Sequence, residues 1–142
     1  MHNIDLYSYQ LGAADCFCEM VRAGVKKIAL SHPCNSRELR DEFFEDFDKL
    51  AEEYGVKYYA EDEPLFTDLF PISLNKNRYV VIFYIEDKYL EEYLQLKKDK
   101  AKYIAEGTYD TYRRDLAVRY GKLLSYSDEG IERLLAGNTE RE

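Results

Sequence analysis

A short polar segment, residues 31–40, carries the side chains best suited to binding an anion. It follows an apolar stretch and precedes an amphipathic one, so a predicted strand ends and a predicted helix begins there. The first turn of a helix leaves about four backbone N–H groups without intrahelical partners and carries a partial positive charge. We therefore predict that this segment binds a phosphate or a carboxylate. The side chains expected to contact it are those of Ser31, His32, Asn35, Ser36, Arg37 and Arg40.

Tyrosine is the second feature that points to a ligand, since 14 of the 142 residues are tyrosine. Its ring stacks on planar groups such as nucleobases, while its hydroxyl keeps a hydrogen-bond partner. Most of these rings are expected in the core or at an interface. Tyr59 and Tyr84 are expected to stack on the ligand. Together with the anion site they predict a non-catalytic binding protein for a small, nucleotide-like anion, which sequesters a nucleotide signal in the way of some phage or bacterial accessory proteins.

Charge narrows the choice of partners. The formal net charge is −8, and non-specific nucleic-acid binding depends on Lys and Arg neutralising phosphates. Duplex nucleic acid is therefore not an expected partner. The acidity leaves open an alternative function, a protein-interaction module or inhibitor that competes for a basic partner.

A second alternative is a hydrolytic enzyme. Asp68 followed by Glu86, Asp87 and Lys88 resembles the motif of metal-dependent nucleases, in which two carboxylates hold Mg²⁺ and a lysine polarises the attacking water. The resemblance is limited to this spacing, and it departs from the family pattern because an acid stands between Glu86 and Lys88. The acidic residues 61–63 would suit a hard cation, but their spacing does not match an EF-hand. Neither set leads us to predict a metal site or a cofactor.

Cysteine chemistry is a further alternative. His32 stands two residues before Cys34, where an imidazole and a helix start would activate a thiolate. No third group to orient the imidazole is apparent. Cys16 and Cys18 point in different directions on a helix, so free, buried thiols are expected rather than a zinc site.

The elements that position the polar segment can be read from apolar spacing. A helix is predicted from about residue 5 to 22, followed by a short strand at 25–30. Asn35 and Glu38 have the spacing of a capping box, which predicts one long helix from there to Gly55.

A second strand is predicted at 56–60, and a possible hairpin joins 65–74 to 78–85. The last of these runs is apolar throughout, so both of its faces should be buried. We expect the first two strands to pair in parallel, with the third antiparallel, either beyond the 65–74 segment or between its neighbours.

Three helices are predicted after residue 86, with Thr108 or Asp110 capping the second and Ser127 the third. The fold class is therefore α/β: one domain over 1–137, a mixed sheet of three to four strands flanked by helices, an all-helical C-terminal third, and a frayed polar tail at 138–142. Two apolar sides on the helix at 90–104 suggest a homo-oligomer. With no leader-like or membrane-spanning run, a cytoplasmic protein is expected.

Overall fold

A three-stranded sheet lies between two layers of helices in the computed structural model, which describes residues 1–142. The strands are β1 (Ile28–Leu30), β2 (Lys57–Glu61) and β3 (Val80–Tyr84). The helices are α1 (Leu6–Arg22), α2 (Arg37–Asp41), α3 (Phe44–Tyr54), α4 (Ile72–Asn75), α5 (Asp87–Ala105), α6 (Tyr109–Leu123) and α7 (Asp128–Gly137). The α/β class and the helical C-terminal third are confirmed.

The central strand is β3, and all five of its residues are buried. Its side chains alternate between two cores: Val81 and Phe83 face α1 and α3, whereas Ile82 and Tyr84 face the C-terminal helices. An apolar strand with no polar face is most stable where both faces and both edges are covered. This explains why the strand at the end of the predicted hairpin occupies the middle of the sheet.

The predicted parallel pairing of the first two strands is wrong. Both pair antiparallel with β3, which lies between them, so the sheet is antiparallel rather than mixed. Residues 65–74 form no strand, so the predicted hairpin is absent. Backbone amides in this segment donate to side chains instead. The Tyr93 hydroxyl accepts from the Leu65 N–H, and the Thr67 hydroxyl accepts from the Leu69 N–H.

The long helix predicted up to Gly55 is two helices, α2 and α3, separated by a turn at Glu42 and Phe43. The N-cap is Ser36 rather than Asn35, since the Ser36 hydroxyl accepts from the Leu39 N–H at 3.1 Å. The turn follows Arg40, whose side chain extends from α2 to the end of β2 and the start of β3.

The tail that was expected to fray is held against the domain. Asn138 is buried, and its side-chain amide donates to the Asp68 carbonyl. Glu142 pairs with Lys100, and its backbone oxygen accepts from Arg113. The second apolar side of α5 is covered by α6 of the same chain, where Tyr103 stacks on a ring of α6. That apolar side therefore gives no support for an oligomer, which stays a prediction.

Candidate functional site

Arg40 is engaged inside the protein. Its guanidinium is 3% exposed and donates to the backbone oxygens of Glu61 and Val80, and to the carboxylates of Asp41 and Asp62. We call this set the Arg40 network. It joins α2 to the ends of β2 and β3 and uses four of the five guanidinium N–H donors within the protein.

The two serines of the predicted site also have internal roles. The Ser31 hydroxyl is buried and accepts from the Val81 N–H at 2.8 Å, which extends the sheet beyond β1. The Ser36 hydroxyl caps α2. Because α2 has only five residues, few peptide dipoles add at its N-terminus.

His32 and Asn35 are exposed and line a separate cleft of about 390 Å³ beside the start of α1, together with Arg78. The His32 ring lies against the Pro33 carbonyl, not against the Cys34 thiol. The Cys34 sulfur contacts Gln10 and the His32 carbonyl. Burial raises the pKa of Cys34, which is the opposite of what an activated thiolate requires. Of the other two cysteines, Cys18 is buried as expected and Cys16 is exposed.

The predicted stacking tyrosines lie apart from the polar segment. Tyr84 pairs with Ile28 at the start of β1, the opposite end of that strand from Ser31. Tyr59 and Tyr84 both pack on the core that faces the C-terminal helices. The structure therefore brings together only some of the predicted site residues.

Arg37 is the predicted site residue that leads to the most polar concavity. A groove of about 510 Å³ runs between α2, the turn after α4, and α5. Four cationic side chains line it, from Arg37, Lys76, Lys97 and Lys100, with two acidic residues, Asp62 and Glu63. We call it the basic groove. Its volume lies within the range of about 300–1,000 Å³ that is usual for small-molecule sites.

Each cation of the basic groove has at most one carboxylate partner. Arg37 pairs with Asp62 at 3.0 Å, and Lys97 pairs at 2.9 Å with Glu61, which is 4% exposed. Lys100 pairs with Glu142 and lies beside the Phe66 ring, 5.3 Å from its centroid. An ammonium group has three N–H donors, so each paired lysine keeps donors that are free to bind another group. Lys76 is exposed and makes no ion pair.

The side-chain amide of Asn75, which lines the basic groove, has no hydrogen-bond partner in the protein. Asn75 is 6% exposed, and its backbone oxygen accepts from the Arg78 N–H. Its side-chain amide makes no hydrogen bond to the rest of the protein, although the residue lines the groove. The Tyr109 hydroxyl is the only side-chain polar atom that is both sealed from solvent and without a partner, so the Asn75 amide atoms are reached by solvent and can bind water or a ligand.

The acidic residues of the enzyme alternative have separate partners. Asp68 is buried and accepts from Arg113 through both carboxylate oxygens. Glu86 and Lys88 are exposed and pair with each other at 3.8 Å, while Asp87 pairs with Lys57. No three His, Cys, Asp or Glu side chains are grouped so that they could hold a metal ion.

Sequence reasoning missed most of the groove. A signal existed on α5, where Lys97, Lys100, Ala101 and Ile104 recur at helical spacing and mark a face with two cations. The residues Asn75, Lys76 and Asn77 predict a turn, but the sequence does not show that this turn lies beside α5.

Neither a family model, nor a curated protein sequence, nor a solved structure matches this chain. None of its helices is both long enough and apolar enough to span a membrane.

Proposed function

We propose that this protein binds a small anionic, nucleotide-like ligand in the basic groove and holds it without a chemical step, as a protein that sequesters a nucleotide signal would. The observation that carries the proposal is the convergence of four cationic side chains on one concavity in a chain with net charge −8. The predicted ligand class is kept, while the proposed location moves from the start of α2 to the groove beside it.

Electrostatics supports a phosphate-bearing ligand. Fields in a concave, low-dielectric site are stronger than on an open surface, so a cluster of cations there attracts anions despite the acidic remainder of the protein. Lysine and arginine N–H groups are the usual donors to phosphate oxygens. Glu142 already places a carboxylate on Lys100, so an anion is accommodated at that position.

The uncharged lining supports a planar group on the same ligand. Phe66 and Tyr79 line the groove and offer rings on which a base can stack. The unpaired Asn75 amide offers one acceptor and two donors, the kind of group that recognises the edge of a base.

Calorimetric titration tests the proposal with ATP, a mononucleotide monophosphate, a cyclic dinucleotide and inorganic pyrophosphate. We expect at least one nucleotide to bind, and we expect Arg37→Met/Lys76→Met to weaken that binding about tenfold or more, which corresponds to about 1.4 kcal/mol. Both side chains are exposed and their loss leaves no buried charge unpaired, since Asp62 keeps Arg40.

The matched control is Lys49→Met/Lys122→Met, which removes the same charge from exposed lysines outside the groove. Its affinity should stay within about twofold of the unmodified protein. Equal weakening in both double variants, or no binding of any nucleotide, would contradict the proposal.

A different observation favours the protein-interaction alternative. Leu6, Tyr9 and Leu39 are 66, 60 and 46% exposed and line the cleft beside α1. Contiguous exposed apolar side chains are typical of protein interfaces. A basic partner that is retained by the unmodified protein should be lost with Leu6→Ser/Leu39→Ser, and it should be kept with the control Leu74→Ser/Ile104→Ser.

A further inference from the structure

A second, mostly apolar cavity lies on the other side of Asn75. Its volume is about 230 Å³, and it is lined chiefly by Phe17, Leu30, Phe70, Leu74, Leu124 and Tyr126. We call it the apolar cavity. It lies between the end of β1 and the C-terminal helices. None of the cationic side chains of the basic groove lines it.

One charged side chain, Lys26, lines the apolar cavity. Its ammonium group donates to the Leu124 carbonyl at 2.7 Å and lies 5.6 Å from the centroid of the Tyr126 ring. No carboxylate lies within ion-pair distance of it, whereas Arg40, Lys57 and Lys97 at the sheet each pair with one. A half-buried ammonium without a counter-charge is costly, and burial accordingly lowers the pKa of Lys26.

Ser31 also lines this cavity, as it lines a smaller cleft beside Cys34. The Ser31 hydroxyl accepts from the Val81 N–H, but its own O–H donates to no acceptor in the protein. A charged donor and a neutral donor in an apolar, aromatic-lined space together complement a carboxylate attached to an apolar body.

We propose that the apolar cavity binds a small aromatic or branched aliphatic monocarboxylate, with the carboxylate paired to Lys26 and the apolar body against Phe70 and Tyr126. The cavity holds the equivalent of roughly eight water molecules, which suits a single ring and excludes a lipid chain. The apolar cavity shares only Asn75 with the basic groove and none of its cations, so the proposal does not depend on the function proposed above.

The test is calorimetric titration with phenylacetate and with phenylacetamide, its neutral isostere. We expect phenylacetate to bind the unmodified protein at least tenfold more tightly than phenylacetamide. Equal affinity of the two probes, or no binding of phenylacetate, would overturn the proposal without any variant being needed.

Substitutions then locate the site. Lys26→Met should weaken phenylacetate binding at least tenfold, whereas the neighbouring, exposed Lys27→Met should leave it within twofold. The groove variant Arg37→Met/Lys76→Met should also keep it within twofold. Loss of binding in the groove variant, or full binding by a folded Lys26→Met protein, would place the carboxylate elsewhere and overturn the assignment.

Discussion

Two asparagines are almost equally buried, and their surroundings differ. Asn138 is 7% exposed, and its amide donates to the Asp68 carbonyl while its side-chain oxygen accepts from the Glu140 N–H. Asn75 is 6% exposed, and its side-chain amide has no partner in the protein. The hydrogen bonds of Asn138 stabilise the fold, whereas the Asn75 amide atoms are reached by solvent and can exchange water for a ligand.

The same contrast separates the two neighbouring arginines of α2. Arg40 donates hydrogen bonds to two carbonyls and two carboxylates. Arg37 is exposed and has one carboxylate partner at the rim of the basic groove. Residue type alone did not distinguish a structural arginine from one that is available for binding. The number of internal partners does.

The largest effect is expected for Arg40→Met. Two buried carbonyls would lose their donor, and each such loss costs about 1–3 kcal/mol, so the free energy of unfolding should fall by about 3 kcal/mol. Urea denaturation measures this change. Nucleotide affinity of the folded fraction should stay within about twofold, and a stability change below about 1 kcal/mol would contradict the structural role of the Arg40 network.

Substitution of leucine at the two asparagines sharpens the comparison. Asn138→Leu should lower the free energy of unfolding by about 2 kcal/mol, because the Asp68 carbonyl and the Glu140 N–H lose a partner. Asn75→Leu should leave that free energy nearly unchanged, since the Asn75 side chain makes no hydrogen bond within the protein and none is lost.

Nucleotide binding should show the reverse order for the same pair. We expect Asn75→Leu to weaken binding about tenfold and Asn138→Leu to leave it unchanged in titrations at a temperature where both are folded. If the two variants behave alike in both measurements, the difference between the two amides has no functional meaning.

A smaller effect is expected at the tail. Glu142→Gln removes the carboxylate that pairs with Lys100, so that lysine should bind an incoming anion a few-fold more tightly. A titration compared with Glu132→Gln, an exposed acid far from the groove in the ion pair with Arg114, controls for the change in net charge. Weaker binding by Glu142→Gln would show that Lys100 does not contact the ligand.

An effect confined to alkaline pH is expected at Tyr109, whose hydroxyl is buried without a partner. Burial raises the pKa of Tyr109 to about 12, above its ordinary value of 10. The unfolded chain therefore loses this proton first, so the contribution of the neutral ring to stability is present below pH 10 and is lost between about pH 10 and 12. Tyr109→Phe should unfold with a shallower loss of stability over that interval in parallel urea titrations, and an unchanged slope would contradict this.

The fold was predictable wherever one local pattern decided it. The apolar run of β3, the first helix and the Ser127 cap of α7 are all predicted from the sequence and present in the structure. The order of the strands was not predictable, because the neighbours of a strand depend on which edges the other elements cover. The antiparallel pairing of β1 with β3 depends on such non-local packing.

The site was predictable in part for the same reason. Arg37 belongs to the predicted anion segment, and it does line the basic groove. The lysines opposite it come from α5, about sixty residues later in the chain, and Asn75 ends α4, whose position beside α5 the sequence does not show. A site assembled from distant segments leaves only fragments in the sequence.

A two-dimensional ¹H–¹⁵N NMR titration with a nucleotide that binds tests whether the ligand lies in the basic groove, because each backbone amide reports its own surroundings. We expect chemical-shift changes concentrated at Arg37, Asn75, Lys76, Lys97 and Lys100 that saturate together. Changes concentrated at His32 and Asn35 beside α1, with the groove amides unmoved, would contradict this expectation.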